Sequence, residues 1–343
     1  MAKAATKQEV TNEFEAQLAE HGLSGFFQNV LERKDMNVEC LTTGLPRLDA
    51  SLHANKLGLP LGRRVEIYSK DPEVGKTSLA LQVAKEWQLQ GKRVAIVDIE
   101  DTITEEYLQE LGFILNPEDD IIQPVYLAKG FNEETGEVLT AEEIADKVGS
   151  ISHIVDLVII DSLAALAKRA DLERDPNDPA QPGGVGKILY DHCRKNTHVR
   201  ATAIWINQAL PQIGVFSPAG IKYKTSGGNA IPFFASIRLE LRLVEKLKGT
   251  NEEIYGVVID AFTAKNKVSP PYKHVKLTYL NGEGFSPVWD LFQAAMEAKI
   301  FMKKGSWINL GDQKWQGELN VYKALKESTD MQQQVRAALE KKE

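Results

Sequence analysis

The chain of 343 residues contains very little cysteine, which excludes two ways of stabilising a protein. Its two cysteines, Cys40 and Cys193, are too few for a disulfide framework or for a cysteine-rich metal site. Hydrophobic residues make up 43% of the chain, a fraction that is typical of globular proteins and not of disordered ones. The length predicts one large domain, or a main domain with small appendages.

Long apolar runs are also absent. No segment reaches the roughly 18 uncharged apolar residues that cross a bilayer, because Asp156 and Asp161 interrupt the best candidate at residues 155–167. The first residues lack the apolar core of a signal peptide, so we expect a cytoplasmic protein with no membrane partner. A net charge of −7 argues against indiscriminate nucleic-acid binding but leaves a local basic strip open.

Four short apolar segments have the pattern of buried parallel strands. They are residues 64–69 (RVEIYS), 93–100 (RVAIVDIE), 155–161 (VDLVIID) and 201–208 (ATAIWINQ), with a helix predicted at residues 76–90. The last three strands end in Glu100, Asp161 and Gln208, and α/β enzymes place their chemistry at the carboxyl ends of such strands. The sequence thus predicts an α/β fold with a mostly parallel twisted sheet flanked by helices. Ordinary solvated loop residues are the alternative interpretation of the three polar ends.

Three regions are predicted along the chain. Residues 1–36 form a helical oligomerisation arm, in which Val10, Phe14 and Leu18 recur every four residues and make one apolar helix face. This face must dock either on the protein's own core or on a neighbouring chain. Residues 37–286 form the core, and residues 287–343 a small α+β domain with a hairpin turning at Gly311-Asp312 and a terminal helix at 321–339.

A phosphate loop is predicted between the first strand and its helix. Gly75, Lys76 and Thr77 fit the end of the pattern G-x-x-x-x-G-K-[ST], although Lys70 replaces its first glycine. In such a loop, backbone N–H groups and the positive end of the helix bind phosphates, the lysine reaches the terminal phosphates, and the threonine hydroxyl binds Mg²⁺. A plain strand-to-helix turn is the alternative.

Three polar strand ends supply the remaining parts of a nucleotide hydrolase. Asp161 is the candidate second acid, which holds the metal shell through water. Glu100 is the candidate general base that polarises a water molecule against the γ-phosphate. Gln208 can sense that phosphate, because a carboxamide both donates and accepts hydrogen bonds. Together with the phosphate loop, these residues predict nucleotide hydrolysis.

The order of several longer motifs resembles the bacterial RecA recombinases. The motifs are residues 36–68 (MNVECLTTGLPRLDASLHANKLGLPLGRRVEIY), VDLVIIDSLAAL, INQ followed by IGV, GGNAIPFFASIRLELR, AKNKVSPPYK and GEGFSPVWDL. The resemblance covers roughly residues 36–340, including the small C-terminal region, whereas the N-terminal arm matches only in being helical. It implies a RecA-like P-loop ATPase core.

This resemblance implies roles for individual residues. Glu100, Lys76 and Gln208 would be catalytic, with Tyr107 stacking on adenine and Thr104 near the base. Thr77 and Asp161 would hold Mg²⁺, the latter through water. The ATP-binding residues would be Asp71, Pro72, Glu73, Val74, Gly75, Lys76, Thr77, Ser78, Thr104, Tyr107, Asp161, Lys265 and Lys267.

Lys265 and Lys267 resemble a pair that reaches the ATP of a neighbouring subunit. Two lysines spaced i, i+2 on an extended segment point the same way, so they can converge on one anion. A solvated basic strand end is the alternative. With the trans-acting role, the active site is complete only in a filament, and docking of the arm on the next subunit gives open helical growth.

Residues 209–229 (ALPQIGVFSPAGIKYKTSGGN) are the candidate DNA-binding segment. Cations that offset phosphate charge and apolar groups that contact bases suit a single strand, whereas a mobile surface loop is the alternative. By resemblance this is the second DNA-binding loop, with Ile213 as the wedge between base triplets, and residues 171–186 occupy the place of the first. The candidate DNA-binding residues are Ile213, Gly214, Val215, Phe216, Lys222, Tyr223, Lys224, Gly227, Gly228 and Asn229.

Departures from the family pattern indicate a divergent member. Besides Lys70, the phosphate loop is about one residue longer before Gly75, and Leu210 and Gln212 stand where basic residues are usual. The sequence nevertheless favours an ATP- and Mg²⁺-dependent recombinase that forms filaments on single-stranded DNA and exchanges strands with a homologous duplex. The alternatives are a catalytically weak paralogue that regulates another recombinase, and a ring-forming ATPase motor.

Overall fold

A computed structural model describes most of the chain. The described residues are 7–24, 26–27, 39–53, 56, 58–117, 121–173, 175, 184–212, 222–248 and 252–342, with the side chains of 7–13 excluded. Internal contacts divide the chain into two units, Met1–Glu39 and Cys40–Glu343. Within the described residues, no helix is long and apolar enough to cross a membrane.

The strands and helices are numbered in chain order. The strands are β1 (Cys40–Leu41), β2 (Leu59–Pro60), β3 (Arg64–Ser69), β4 (Val94–Asp98), β5 (Val125–Lys129), β6 (Leu157–Asp161), β7 (Thr202–Pro211), β8 (Tyr223–Thr225), β9 (Ile237–Lys248), β10 (Ile254–Asn266), β11 (His274–Leu280), β12 (Gly284–Phe285), β13 (Met302–Lys304), β14 (Trp307–Leu310) and β15 (Gln313–Gln316). The α-helices are α1 (Lys7–Glu20), α2 (Pro46–Leu52), α3 (Lys76–Leu89), α4 (Glu105–Glu110), α5 (Ala141–Ile151), α6 (Arg169–Leu172), α7 (Val185–Lys195), α8 (Ala230–Phe234), α9 (Pro287–Glu297), α10 (Glu318–Glu327) and α11 (Thr329–Glu340).

In the first unit, helix α1 leaves apolar side chains in contact with solvent. Phe14 is 60% exposed, and beyond the helix Phe26 and Phe27 are 79% and 56% exposed. The two later rings pack edge to face with their centroids 5.1 Å apart. The predicted docking of this arm on another surface stays a prediction, as do its boundary at residue 36 and its role in oligomerisation.

The second unit is built on one large sheet with the strand order β12-β11-β10-β9-β3-β7-β6-β4-β5. The strands from β9 through β3 to β5 run parallel to their neighbours. Strands β9 to β12 pair antiparallel. All five residues of β4 and of β6 are buried, as expected for parallel strands covered on both faces. The predicted α/β fold is confirmed.

Helices cover the two faces of the parallel strands. On one face α3 packs through Leu79, Val83 and Trp87, whose spacing places them on one side of the helix. On the other face, α5 and α7 pack against alternate residues of the same strands, through side chains such as Val148 and Leu189. The sheet is therefore held rigidly at the edge where its parallel strands end.

Strand β7 is longer than the sequence indicated. The pattern predicted an end at Gln208, but the strand continues to Pro211 because residues 209–211 pair antiparallel with β8. Gln208 therefore lies at the point where β7 leaves the large sheet, and the next residues form the base of a β-hairpin. We call this pair of strands the β7–β8 hairpin.

The last part of the chain has a hydrophobic core of its own, formed by α9 to α11 and a three-stranded sheet. Phe292, Phe301 and Ile308 are fully buried in it. The hairpin predicted around Gly311-Asp312 is present as β14 and β15, and β13 pairs with β14 as a third strand. The terminal helix predicted at 321–339 is instead two helices, because Ser328 ends α10 and its hydroxyl caps α11 by accepting from the Met331 N–H at 3.2 Å. A domain boundary at residue 286 stays a prediction.

Candidate active site

The loop between β3 and α3 makes a tight turn whose shape requires glycine at its last position. Gly75 precedes α3 with φ = 72°, in the left-handed region. A Cβ atom there would lie 3.1 Å from the Phe285 ring. Glu73 is a second left-handed residue, with φ = 52°, whereas Lys70 is not left-handed. The chain thus tolerates Lys70 in place of the first glycine because the strained conformation, which costs about 1–2 kcal/mol for a side-chain-bearing residue, falls on Glu73.

The start of α3 opens into a cleft of about 650 Å³. The predicted residues Lys76, Thr77, Glu100, Asp161 and Gln208 all line it, together with residues 72–75 and Ser78. They come from one loop and three strands, and they meet because the carboxyl ends of parallel strands share one edge of the sheet. The N-terminus of a 14-residue helix in this cleft favours an anion.

Thr77 and Asp161 form the part of the cleft that suits a hard cation. The Thr77 hydroxyl donates to Asp161 Oδ2 at 2.6 Å, so the two oxygens converge on one point. Hydroxyl and carboxylate oxygens are ligands that Mg²⁺ accepts, and in nucleotide sites the ion takes only one or two from the protein. No cluster of three or more His, Cys, Asp or Glu side chains could hold a metal within the described ranges. The pair therefore fits Mg²⁺ bound jointly with phosphates.

The charges of the cleft are strongly coupled. Burial, together with the nearby Glu100 and Asp98 carboxylates, raises the pKa of Asp161 to about 6 despite the opposing effects of Thr77 and Lys76. Burial lowers the pKa of Lys76, although Asp161, Glu100 and Asp71 oppose this change. A bound phosphate group would stabilise the charged form of Lys76, and bound Mg²⁺ would stabilise the charged form of Asp161.

Glu100 lies two residues beyond β4 and is oriented by a residue that the sequence analysis did not single out. The Ser162 hydroxyl donates to Glu100 Oε1. Ser162 follows Asp161 directly, and a cis peptide bond joins the two residues. A serine immediately after the acid at a strand end was the only signal in the sequence, and it does not by itself indicate a contact with Glu100.

Gln208 connects the phosphate loop to the β7–β8 hairpin. Its side-chain Nε2 donates to the Lys70 carbonyl at 3.2 Å. Its backbone N–H donates to the Asn207 side chain at 2.9 Å, and Asn207 in turn donates to buried Glu66 at 2.9 Å. Asn207 was also missed in the sequence, where it stands beside Gln208. The backbone of Gln208 is therefore fixed by Asn207, and its carboxamide makes one contact with the phosphate loop.

The residues predicted to bind adenine lie on α4, beside the phosphate loop. The Tyr107 hydroxyl is 3.0 Å from Ser78 Oγ, and the Thr104 hydroxyl caps α4 by accepting from the Tyr107 N–H at 3.2 Å. Burial raises the pKa of Tyr107. One hydrogen bond thus connects the Tyr107 side chain to the first turn of α3. Its stacking on adenine stays a prediction.

Lys265 and Lys267, at the end of β10, lie at the C-terminal end of α8. Lys265 Nζ donates to the carbonyls of Pro232 at 2.6 Å and Phe233 at 3.2 Å, and Lys267 Nζ donates to Phe233 at 3.3 Å. Burial, with Lys267 and Arg238 nearby, lowers the pKa of Lys265 to about 8. As expected from their spacing, the two ammonium groups converge, here on helix carbonyls. Their action on a neighbouring subunit's ATP stays a prediction.

The candidate DNA-binding residues are only partly described. Ile213, Gly214, Val215 and Phe216 lie outside the described residues, as does most of residues 171–186. The described base of the hairpin has Leu210 opposite Lys224 and Pro211 opposite Tyr223. Lys222, Tyr223 and Lys224 are all exposed, and Gly227 and Gly228, with φ of 85° and 67°, turn the chain towards Asn229 at the start of α8. Lys222, Tyr223 and Lys224 are thus accessible at the start of β8, and their role toward DNA stays a prediction.

The fold and the cleft together define a class of protein. A mostly parallel sheet, a glycine-lysine-threonine turn opening a helix, and acidic residues at the adjoining strand ends are the parts of a P-loop ATPase.

Comparisons with known proteins identify the family. A family model described as the RecA N-terminal domain matches residues 18–286. Protein RecA of Xanthomonas axonopodis pv. citri is 35% identical over 311 residues, which cover 89% of this chain and 85% of that protein. Protein RecA of a Nostoc species is 37% identical over 316 residues (89% and 82%), and that of Chlorobium limicola is 37% identical over 306 residues (88% and 81%). The chain belongs to the RecA family.

Membership in this family assigns the chain a function in DNA recombination and repair by strand exchange, with binding of ATP and DNA. The family consists of DNA-dependent ATPases that use ATP with Mg²⁺. The two alternatives from the sequence, a regulatory paralogue and a ring-forming motor, are not favoured.

Proposed function

We propose that this chain polymerises on single-stranded DNA with ATP and Mg²⁺, aligns it with a homologous duplex and exchanges strands. ATP bound between subunits holds the extended filament, and DNA-stimulated hydrolysis releases it. The observation that carries the proposal is the convergence of Lys76, Thr77, Glu100, Asp161 and Gln208 on one cleft at the start of α3.

The chemistry of hydrolysis requires positioning and charge compensation more than covalent catalysis. The N–H groups at the start of α3 and the Lys76 ammonium bind the β- and γ-phosphates. Thr77 and Asp161 hold Mg²⁺, the latter through water, and the ion when bound compensates phosphate charge. Glu100, oriented by Ser162, accepts a proton from the attacking water.

Gln208 is the proposed link between nucleotide and DNA. It lines the cleft, contacts the phosphate loop at the Lys70 carbonyl and stands at the root of the β7–β8 hairpin. A γ-phosphate in the cleft would offer this carboxamide a second partner. The orientation of the hairpin, and with it that of the exposed Lys222 and Lys224, then depends on which nucleotide is bound.

Lys265 and Lys267 are proposed to complete the cleft of an adjacent subunit. Both side chains are basic, lie close together and do not line the cleft of their own subunit. Burial disfavours the charged form of Lys265, so an anion in place of the helix carbonyls would stabilise its ammonium group. This arrangement makes hydrolysis depend on assembly.

Three measurements test the proposed function. The first is strand exchange between a circular single strand and a homologous linear duplex, which we expect only with ATP. The second is ATPase activity with and without single-stranded DNA in the wild type, in Glu100→Gln and in the control Glu106→Gln, an exposed residue of α4. We expect stimulation by DNA in the wild type and in the control, and its loss in Glu100→Gln. No strand exchange, or equal ATPase activity in the two variants, would contradict the proposal.

Electron microscopy with a non-hydrolysable ATP analogue should show helical filaments, whereas closed rings would favour the motor.

A further inference from the structure

Lys70, which occupies the place of the first glycine of the phosphate loop, contacts both strands of the β7–β8 hairpin. Its backbone carbonyl accepts from Gln208 Nε2 at 3.2 Å, on the β7 side. Its Nζ lies 5.0 Å from the centroid of the Tyr223 ring, on the β8 side. The part of this loop that lines the nucleotide cleft begins at Pro72, so the Lys70 ammonium group points to the hairpin rather than to the cleft.

A buried carboxylate holds the Lys70 ammonium group over the Tyr223 ring. Glu240 on β9 lies 3.5 Å from Lys70 Nζ through its Oε1 atom, and its side chain is only 8% exposed. That oxygen has no hydrogen-bond partner, while the other carboxylate oxygen accepts from Arg242 at 2.8 Å. A buried carboxylate whose second oxygen has no hydrogen-bond partner attracts a second cation, and here that cation is Lys70. The ammonium is therefore placed by the large sheet and not by the hairpin alone.

A glycine at position 70 could offer the hairpin only the backbone contact. The lysine adds a cation–π contact from the same residue to the opposite strand, so that movement of the phosphate loop is transmitted to both strands at once. Tyr223 stands between Lys222 and Lys224, the exposed cations proposed to contact DNA. The side chain of Lys70 thus joins the nucleotide loop directly to the DNA-facing strand.

We propose that Lys70 is a positioning residue, which couples the nucleotide state of the phosphate loop to the orientation of the β7–β8 hairpin and so to the affinity for single-stranded DNA. This inference rests on the proposed function, because it requires that DNA affinity depends on nucleotide. Lys70 does not line the nucleotide cleft and acts through Tyr223 and Gln208.

The test measures a ratio rather than an activity. The affinity for a fluorescent single-stranded oligonucleotide is measured with a non-hydrolysable ATP analogue and again with ADP, and the ratio of the two affinities reports the coupling. We expect Lys70→Met, which keeps the length and loses the charge, to lower this ratio about three- to tenfold. Lys70→Arg, which keeps a cation, should retain it. Nucleotide affinity without DNA and thermal unfolding should stay close to the wild type in both variants, which separates positioning from a general structural effect.

Variants of Tyr223 test the same inference independently, in case Lys70→Met does not fold. Tyr223→Phe keeps the ring and should keep the coupling ratio, whereas Tyr223→Leu should lower it as Lys70→Met does, and the double variant should lower it no further. Ratios in Lys70→Met and Tyr223→Leu equal to the wild-type ratio, or additive losses in the double variant, would overturn the inference alone. A wild-type ratio of one would instead overturn the proposed function, and the inference with it.

Discussion

The side chains of the nucleotide cleft are held by one another, whereas those of the β7–β8 hairpin are held by backbone pairing. In the cleft, Thr77 at the start of α3 contacts Asp161 at the end of β6, and Ser162 contacts Glu100 just beyond β4. On the hairpin, Lys222 and Lys224 are exposed and the pairing of residues 209–211 with 223–225 sets their positions. The first region is preorganised for one chemistry, whereas the second presents its cations to solvent.

This difference follows from what each region must do. Charges that act on a phosphate gain strength when water is excluded and when they need no reorganisation. A surface that binds a flexible single strand gains from accessible cations and from freedom to follow the backbone. Substitutions in the cleft should therefore have large and specific effects, and substitutions on the hairpin should have smaller effects that depend on salt.

The largest expected effect is that of removing the Lys76 ammonium group. Lys76→Ala should lower DNA-stimulated ATPase activity about 100- to 1,000-fold, because Lys76 is the one cation among the described residues that line the cleft and can stabilise the developing phosphate charge. The measurement is phosphate release with saturating single-stranded DNA. The exposed Lys147→Ala on α5 is the control for loss of one positive charge. Similar losses in the two variants would show that the cleft is not the site of hydrolysis.

The pH dependence of stability tests whether the cleft's acids are as strongly coupled as their contacts indicate. The pKa of Asp161 is about 6 in the folded chain against an ordinary value of 3.8, chiefly because of burial. Between these values the folded protein binds more protons than the unfolded one, so Asp161 makes the nucleotide-free protein less stable as the pH rises through this window. Asp161→Asn should therefore be more stable than the wild type by about 2 kcal/mol at neutral pH, and equal to it at about pH 4.

Asp156 is the matched control, with the opposite sign. Burial acts to raise the pKa of Asp156, but hydrogen bonds from Arg93 and Arg200 outweigh it and hold the pKa below its ordinary value. Its charged form thus stabilises the fold above its ordinary pKa, and Asp156→Asn should lower the free energy of unfolding at neutral pH. Denaturant unfolding at several pH values measures both variants. A lower free energy of unfolding in both variants at neutral pH would show that the charged form of Asp161 does not destabilise the fold.

Lys265 lies at the C-terminal end of α8 and belongs to neither region, and its variant tests whether the cleft is completed by a neighbour. Lys265→Ala should lower DNA-dependent ATPase activity about tenfold, because one cation facing the phosphates is lost in the assembly. Nucleotide binding by the isolated monomer should remain. The exposed Lys304→Ala in the C-terminal sheet is the control. Equal loss of nucleotide binding in the monomer would place the lysine in its own subunit's cleft.

The two regions also differ in how far the sequence predicts them. Glu100, Asp161 and Gln208 could be brought together in advance, because ends of parallel strands meet at one edge whatever the loops do. The contacts of Lys70 with Glu240 and Tyr223 could not, because the direction of a long side chain depends on partners far away in the chain. The contact from Ser162 to Glu100 depends on a local backbone path that no spacing reveals, and the extension of β7 past Gln208 depends on pairing with a strand whose apolar pattern is weak.

The smallest expected effect is on the hairpin. Lys222→Ala with Lys224→Ala should weaken single-stranded DNA binding about three- to tenfold and flatten the slope of log affinity against log salt by about 1.4, because each lysine that contacts a phosphate of a single strand contributes ~0.7 to this slope. Lys246 and Lys248 lie on the exposed C-terminal half of β9 with the same i, i+2 spacing. Their double alanine variant is therefore the control for a change of two charges. An unchanged slope in the first variant, or the same change in both, would place Lys222 and Lys224 away from the phosphates. A lower affinity with a flatter slope would show that this surface contributes charge, and not only shape, to the hold on DNA.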